Sequence, residues 1–152
     1  MFILSQVSLK NLSGVNPKLQ LLCEEAIKSS PVDFRVTEGL RSLSRQKHLV
    51  SIGASQTLDS RHLTGDAVDL VLWDGGPRWE WPLIYKLAEC IRTVALPNSI
   101  SLRWGGTWDV YNFTYTVKPI NELVDGYIAR QKAKGRRPFL DGPHFELCRK
   151  EK

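Results

Sequence analysis

Ser60-Arg61-His62-Leu63-Thr64-Gly65-Asp66-Ala67-Val68-Asp69 is the stretch on which the reading of this chain turns. From Asp66 to Trp73 the residues are rich in Val and Leu and read as a strand. Val68, Leu70 and Leu72 share one face of it, while Ala67, Asp69 and Val71 share the other. Asp69 is thus a carboxylate among apolar neighbours on a covered sheet. An unpaired charge is costly there, so it calls for a base or a metal, although a structural ion pair or a turn cap also fits it taken alone. His62 lies seven residues earlier, an odd separation that would put it on the opposite face of one continuous strand. Convergence requires a break, and Thr64-Gly65 supplies one, since glycine accepts backbone angles that a side chain forbids.

A second stretch, Asp141-Gly142-Pro143-His144-Phe145-Glu146, lies far downstream. Here His144 and Glu146 fall on one strand face, and Phe145 and Leu147 on the other. The apolar pair enters the core, which turns His144 to the same open side as Asp69. Pro143 stiffens the approach and Gly142 lets the chain turn. Asp141 could reach back beside a metal as a base rather than a ligand, though Asp-Gly is also a common turn pair. His62, Asp69 and His144 together make three protein ligands, which leaves the open fourth position that a catalytic zinc needs. A nearby carboxylate can take the proton of the attacking water. The combination points to a zinc hydrolase. His48 lies in a helical, basic context and is expected to be exposed.

At 152 residues the chain reads as one domain, residues 1–152, able to bury a core without disulfide staples. A hydrophobic fraction of 42% argues against disorder. The apolar start, Met1 to Leu4, is too short for a signal peptide, and no stretch approaches a membrane span. Synthesis in the cytoplasm and no stable membrane association are therefore expected. Cys23, Cys90 and Cys148 are odd in number and widely spaced, and read as reduced, mostly buried thiols. The net charge of +5 favours an anionic partner, which could be nucleic acid, anionic lipid or an acidic polymer such as peptidoglycan. The basic run from Lys132 to Arg137 carries no recognised nucleic-acid motif and reads as the solvated end of a helix.

Helices are expected over 17–29, capped by Asn16, and over roughly 44–51, 79–94 and 121–134. Strands are expected over 32–36, 66–73, 99–104 and 144–148, with a polar loop at 53–60. Helices and strands without regular βαβ alternation indicate an α+β fold, a small antiparallel sheet packed with helices.

The spacing Ser60-x-His62-x-x-Gly65-x-Ala67-x-Asp69, followed by Pro143-His144-Phe145-Glu146, resembles the D-alanyl-D-alanine carboxypeptidase family of zinc peptidases. Thr37-Glu38-Gly39-Leu40-Arg41, Arg103-Trp104-Gly105-Gly106-Thr107-Trp108 and Asp141-Gly142-Pro143-His144 narrow the likeness to phage L-alanyl-D-glutamate peptidases, single-domain endolysins that cut peptidoglycan stem peptides. The resemblance runs from about Val32 to Leu147. It implies the hedgehog and D,D-peptidase-like zinc peptidase fold, without a separate wall-binding domain, and one Zn2+ held by His62, Asp69 and His144. It makes Asp141 the general base. It makes Arg41 the cation that holds substrate or stabilises the oxyanion, although Arg41 could simply pair with Glu38. Ser60 and Glu146 match supporting positions. A monomer is expected, with a holin giving access to periplasmic peptidoglycan. Other readings remain open: D,D-carboxypeptidase or D-Ala-D-Ala dipeptidase activity, a non-catalytic zinc-binding module, and a nucleic-acid binder. Two departures stand out. Thr107 occupies a place where the family often has an acidic residue, with Asp109 just beyond. The segment between Trp108 and Asp141 is long, and is expected to shape one wall of the substrate groove.

Overall fold

The structure, a computed structural model, describes residues 1–149. Its centre is the strand expected around Asp69. This strand, β2 (Ala67–Trp73), pairs antiparallel on one side with β1 (Phe34–Glu38) and on the other with β5 (His144–Leu147). β4 (Leu102–Trp104) extends the sheet beyond β5, and the two-residue β3 (Pro77–Arg78) folds back on the end of β2. Strand alternation sends Phe34, Val36, Val68, Leu70, Leu72, Leu102, Trp104 and Phe145 into one core.

Two helices cover that face. α2 (Pro17–Ser29) starts with Asn16 accepting from the Lys18 amide and Pro17 in its first turn, and buries Leu19, Leu22, Cys23, Ala26 and Ile27. α4 (Trp81–Ala95) buries Ile84, Leu87, Ala88, Ile91 and Ala95. α3 (Leu43–Ser51) and α5 (Ile120–Ala133) lie on either side of the open face. The expected order of elements is observed, within a few residues at the ends. The strand anticipated from Val32 runs instead from Phe34 to Glu38, and the helix anticipated from Trp79 begins at Trp81.

One helix escapes the sequence reading. α1 (Gln6–Leu12) is short and polar, with no apolar stripe to announce it. It works as a cover for the edge strand. Ser8 Oγ accepts from the Val36 amide at 3.0 Å, and Asn11 Nδ2 donates to the Val36 carbonyl at 2.8 Å. Side chains thus satisfy backbone groups that would otherwise leave β1 as an open edge. All three cysteines are free; Cys23 is fully buried, which with Glu24 pushes its thiol up to about 12 and leaves it inert.

Parity explains which side chains face the open side, with one exception. Val36 points to the core, so Glu38, two residues on, should do the same. A register shift between them places Glu38 opposite Asp69 where Val36 stands opposite Leu70. This β-bulge turns Glu38 over to the open face. The open face then carries, across three strands, Glu38, Asp69 and His144 in one row.

Gly105 fixes where the last strand begins. A Cβ there would fall on the Asp141 carbonyl oxygen, inside van der Waals contact. Gly105→Ala should cost about 1–3 kcal/mol. Chemical denaturation reads this as a lowered midpoint; an unchanged midpoint contradicts the close approach.

Candidate metal centre

The β2–β5 register sets Asp69 directly opposite His144. His62 reaches them from a 3-10 turn, Arg61–Thr64, that replaces the continuous strand. Ser60 caps this turn, its hydroxyl accepting from the His62 amide at 3.2 Å. Gly65 ends it at φ +75°, as the break in the sequence pattern requires. The Arg41 amide, donating to the His62 carbonyl at 2.9 Å, ties the turn to the end of β1.

One carboxylate oxygen, Asp69 Oδ1, lies 3.2 Å from His62 Nε2 and 3.3 Å from His144 Nδ1. The three ligand atoms all lie within 4.8 Å of one another, close enough for one metal ion. The second nitrogen of each imidazole is engaged. His62 Nδ1 donates to the Gly39 carbonyl at 2.7 Å, and His144 Nε2 faces Glu146 Oε1 at 2.9 Å. These partners assign the tautomers. A neutral ring that donates from its far nitrogen must turn a lone pair toward Asp69. Two lone pairs facing one carboxylate oxygen repel it unless a cation or a proton lies between. Metal-binding histidines are oriented by such outer acceptors, so the donor set fits a divalent ion.

The charge balance says the same. Burial alone would disfavour charge on His144, but hydrogen bonds to Asp69 and Glu146 outweigh it and lift the imidazole to about 9. Burial would also raise the Asp69 carboxyl, yet the two histidines hold it far below the usual carboxylate range. Glu146, opposed by burial but bonded to His144, is likewise lowered. The proton held on His144 thus answers the carboxylates on either side of it.

Arg41 is buried beside this set. Its Nε and Nη2 each donate to Glu38 at 2.7 Å, Nη1 donates to Gln46 Oε1 at 2.6 Å, and Nη2 is 3.6 Å from Asp69 Oδ2. The pairing with Glu38 and the placement at the site thus hold together. The amide of Gln46 donates in turn to Ser55 Oγ and the Thr57 carbonyl. Sequence reasoning named Glu38 only as a partner for Arg41, without a place in the site, and did not single out Gln46.

Asp141 enters on the loop before β5. Its amide donates to the Gly105 carbonyl at 2.9 Å, while its carbonyl accepts from the His144 amide at 3.1 Å. Burial, and then the nearby Asp69, push its carboxyl up to about 6, against the pull of His144, His62 and Arg41. The cleft that holds all these groups has a volume of about 620 Å3. Trp108, Phe139 and Tyr127 line one wall and Trp79 another. Phe139 stacks on Trp108 at 6.4 Å, so residues of the long segment after Trp108 do form part of the wall. Thr107 is fully buried, and Asp109 does not stand in for the missing acid: it is exposed and pairs with Arg130 at 2.6 Å. His48 is exposed on α3, outside the set, and Lys132 to Arg137 are exposed across the last residues of α5 and the turn that follows.

Comparison with known proteins follows the same lines. A family model described as phage L-alanyl-D-glutamate peptidase matches residues 1–126. The L-alanyl-D-glutamate peptidase of Escherichia phage T5 is 28% identical over 106 residues, covering 66% of this chain and 77% of that protein. The L-alanyl-D-glutamate peptidase of Listeria phage A118 is 33% identical over 81 residues, covering 53% of this chain and 28% of that longer protein. The crystal structure of a Serratia marcescens L-Ala D-Glu endopeptidase aligns with a TM-score of 0.70 at 36% identity, over 96% of this chain and 90% of that one. The family match ends before Asp141, His144 and Glu146, whereas the structural alignment spans nearly the whole chain.

Metal binding should release protons, because His144 must give up the one it holds to about pH 9. A raised histidine pKa stabilises the fold below its ordinary value of 6.5, and that contribution is lost as pH rises through about 9. Melting curves across this window should show the metal-free protein weakening with pH while added zinc raises the midpoint increasingly. A zinc effect that does not grow with pH contradicts the site.

Proposed function

This chain belongs to the phage L-alanyl-D-glutamate peptidase family, and on that premise we propose that it is a zinc-dependent endopeptidase of peptidoglycan. It is a peptidase, and the bond we assign to it is the amide between L-alanine and D-glutamate in murein stem peptides. The observation that carries the reading is the Asp69 oxygen shared by two oriented imidazoles, with Asp141 and Arg41 in the same cleft.

His62, Asp69 and His144 would hold one zinc ion, a nitrogen and oxygen donor set suited to that metal. When bound, zinc supplies the Lewis acidity that makes water nucleophilic near neutral pH. Asp141 accepts the proton of the attacking water and returns it to the leaving amine. A carboxyl near pKa 6 stands close to working pH, where one group can do both. Arg41, held by Glu38 and Gln46, presents a guanidinium that offsets the charge gathering on the scissile carbonyl oxygen. Ser60 and Glu146 are positioning residues: Ser60 caps the turn that carries His62, and Glu146 fixes the His144 ring.

The phage origin of two of the relatives supports a place in phage lysis. The enzyme would be made in the host cytoplasm and reach periplasmic murein through a holin. Among the described residues no helix is long and apolar enough to cross a membrane.

Purified murein digested with the protein should yield new N-terminal D-glutamate by mass spectrometry, and a chelator should stop it. Released D-alanine instead would identify a carboxypeptidase or dipeptidase, and no cleavage by zinc-loaded protein would leave a non-catalytic zinc module. Asp141→Asn should keep the metal and lose about 10²- to 10⁴-fold in kcat. The wild-type rate should fall on the acid side at or below about pH 6, as Asp141 takes up its proton. Wild-type turnover in the variant contradicts its role as base.

A further inference from the structure

β4 sends Leu102 and Trp104 into the core, so Arg103 between them projects to the cleft face, where its cross-strand neighbour is Glu146. Its Nε donates to the Trp108 carbonyl at 2.7 Å, and its guanidinium carbon lies 5.0 Å from the centre of the Trp108 ring. The same indole stands 5.0 Å from the His144 ring. The guanidinium is thereby held in one orientation close to the ligand set. Among the described residues, neither of its Nη atoms has a hydrogen-bond partner or a carboxylate within 4.0 Å. Each of the other guanidiniums of the cleft is already paired with a carboxylate. Arg41 pairs with Glu38, Arg61 with Asp66 and Arg149 with Asp59. Glu146, the acid nearest in register, is engaged by His144.

A fixed guanidinium with its terminal fork unused matches a carboxylate, which it can bind through two parallel hydrogen bonds. Resting on the cleavage reading above, we propose that Arg103 is the specificity residue for the free α-carboxylate of the γ-linked D-glutamyl unit. In such a unit that carboxylate sits on the carbon bonded to the leaving nitrogen, one atom from the cut. Trp108 supports the contact as the surface against which the guanidinium is packed.

The test compares two synthetic peptides that differ only in this group: N-acetyl-L-Ala-γ-D-Glu-L-Lys and its α-carboxamide counterpart. Zinc-loaded wild type, Arg103→Gln and Arg103→Lys are each assayed on both. Wild type should favour the carboxylate about 10- to 100-fold in kcat/KM, the range for a hydrogen bond to a charged group. Arg103→Gln should bring the ratio near unity, and Arg103→Lys should retain part of it. The ratio is taken within one preparation, so a misfolded fraction cancels, and a merely structural role would slow both substrates alike. A wild type without preference, or an Arg103→Gln variant with the wild-type ratio, overturns the proposal while the cleavage reading stands. If wild type cuts neither peptide before D-glutamate, that reading fails and this proposal with it.

Discussion

A single carboxylate oxygen on the central strand faces two imidazole nitrogens, and most of the surrounding structure serves to make that arrangement tolerable. Asp69 stands on β2 with apolar neighbours along the strand, where an isolated charge would be heavily penalised. It is answered from three directions: by His144 across the β5 ladder, by His62 from the capped turn, and by Arg41 from the end of β1. Each answering group is itself constrained. The histidines are oriented by Gly39 and Glu146, and the guanidinium by Glu38 and Gln46. Positioning of this kind is what separates a loose cluster of polar groups from a preorganised site.

Glycines make the close approaches possible. Gly39 packs against the backbone of α1 with no room for a side chain, and this sets its carbonyl under His62. Gly65 holds a left-handed conformation with the Gly14 carbonyl 2.7 Å from where its Cβ would be. Gly105 lies against Asp141, and the backbone exchange between Gly105, Asp141 and His144 joins β4 to the start of β5. The proposed base and one proposed ligand are thus placed by the same three-residue loop. Through Gly142, that loop also accepts from the buried indole of Trp104.

Much of this was legible in the sequence, for reasons that are local. Strand alternation put Asp69 and His144 on one open face, and the odd spacing of His62 called for the break that Gly65 provides. The paired motifs and their order along the chain carried the family likeness. What could not be read depended on tertiary detail. The β-bulge that turns Glu38 toward the site leaves no mark in a five-residue strand. α1 has no long apolar stripe, because only Leu12 enters the core and the contact with β1 runs through Ser8 and Asn11. The open fork of Arg103 is visible only once its neighbours are known to be engaged elsewhere. Sequence showed only that Asp109 lies just beyond Thr107; its ion pair with Arg130 at the exposed surface needed the fold.

The central claim is that one metal ion sits among His62, Asp69 and His144, and diffraction from zinc-soaked crystals at the zinc absorption edge tests it most directly. The account predicts a single strong anomalous peak bonded to His62 Nε2, His144 Nδ1 and an oxygen of Asp69, with the far nitrogens still on Gly39 and Glu146. No peak at that point, or a zinc bound through His144 Nε2 with Glu146 displaced, would contradict it.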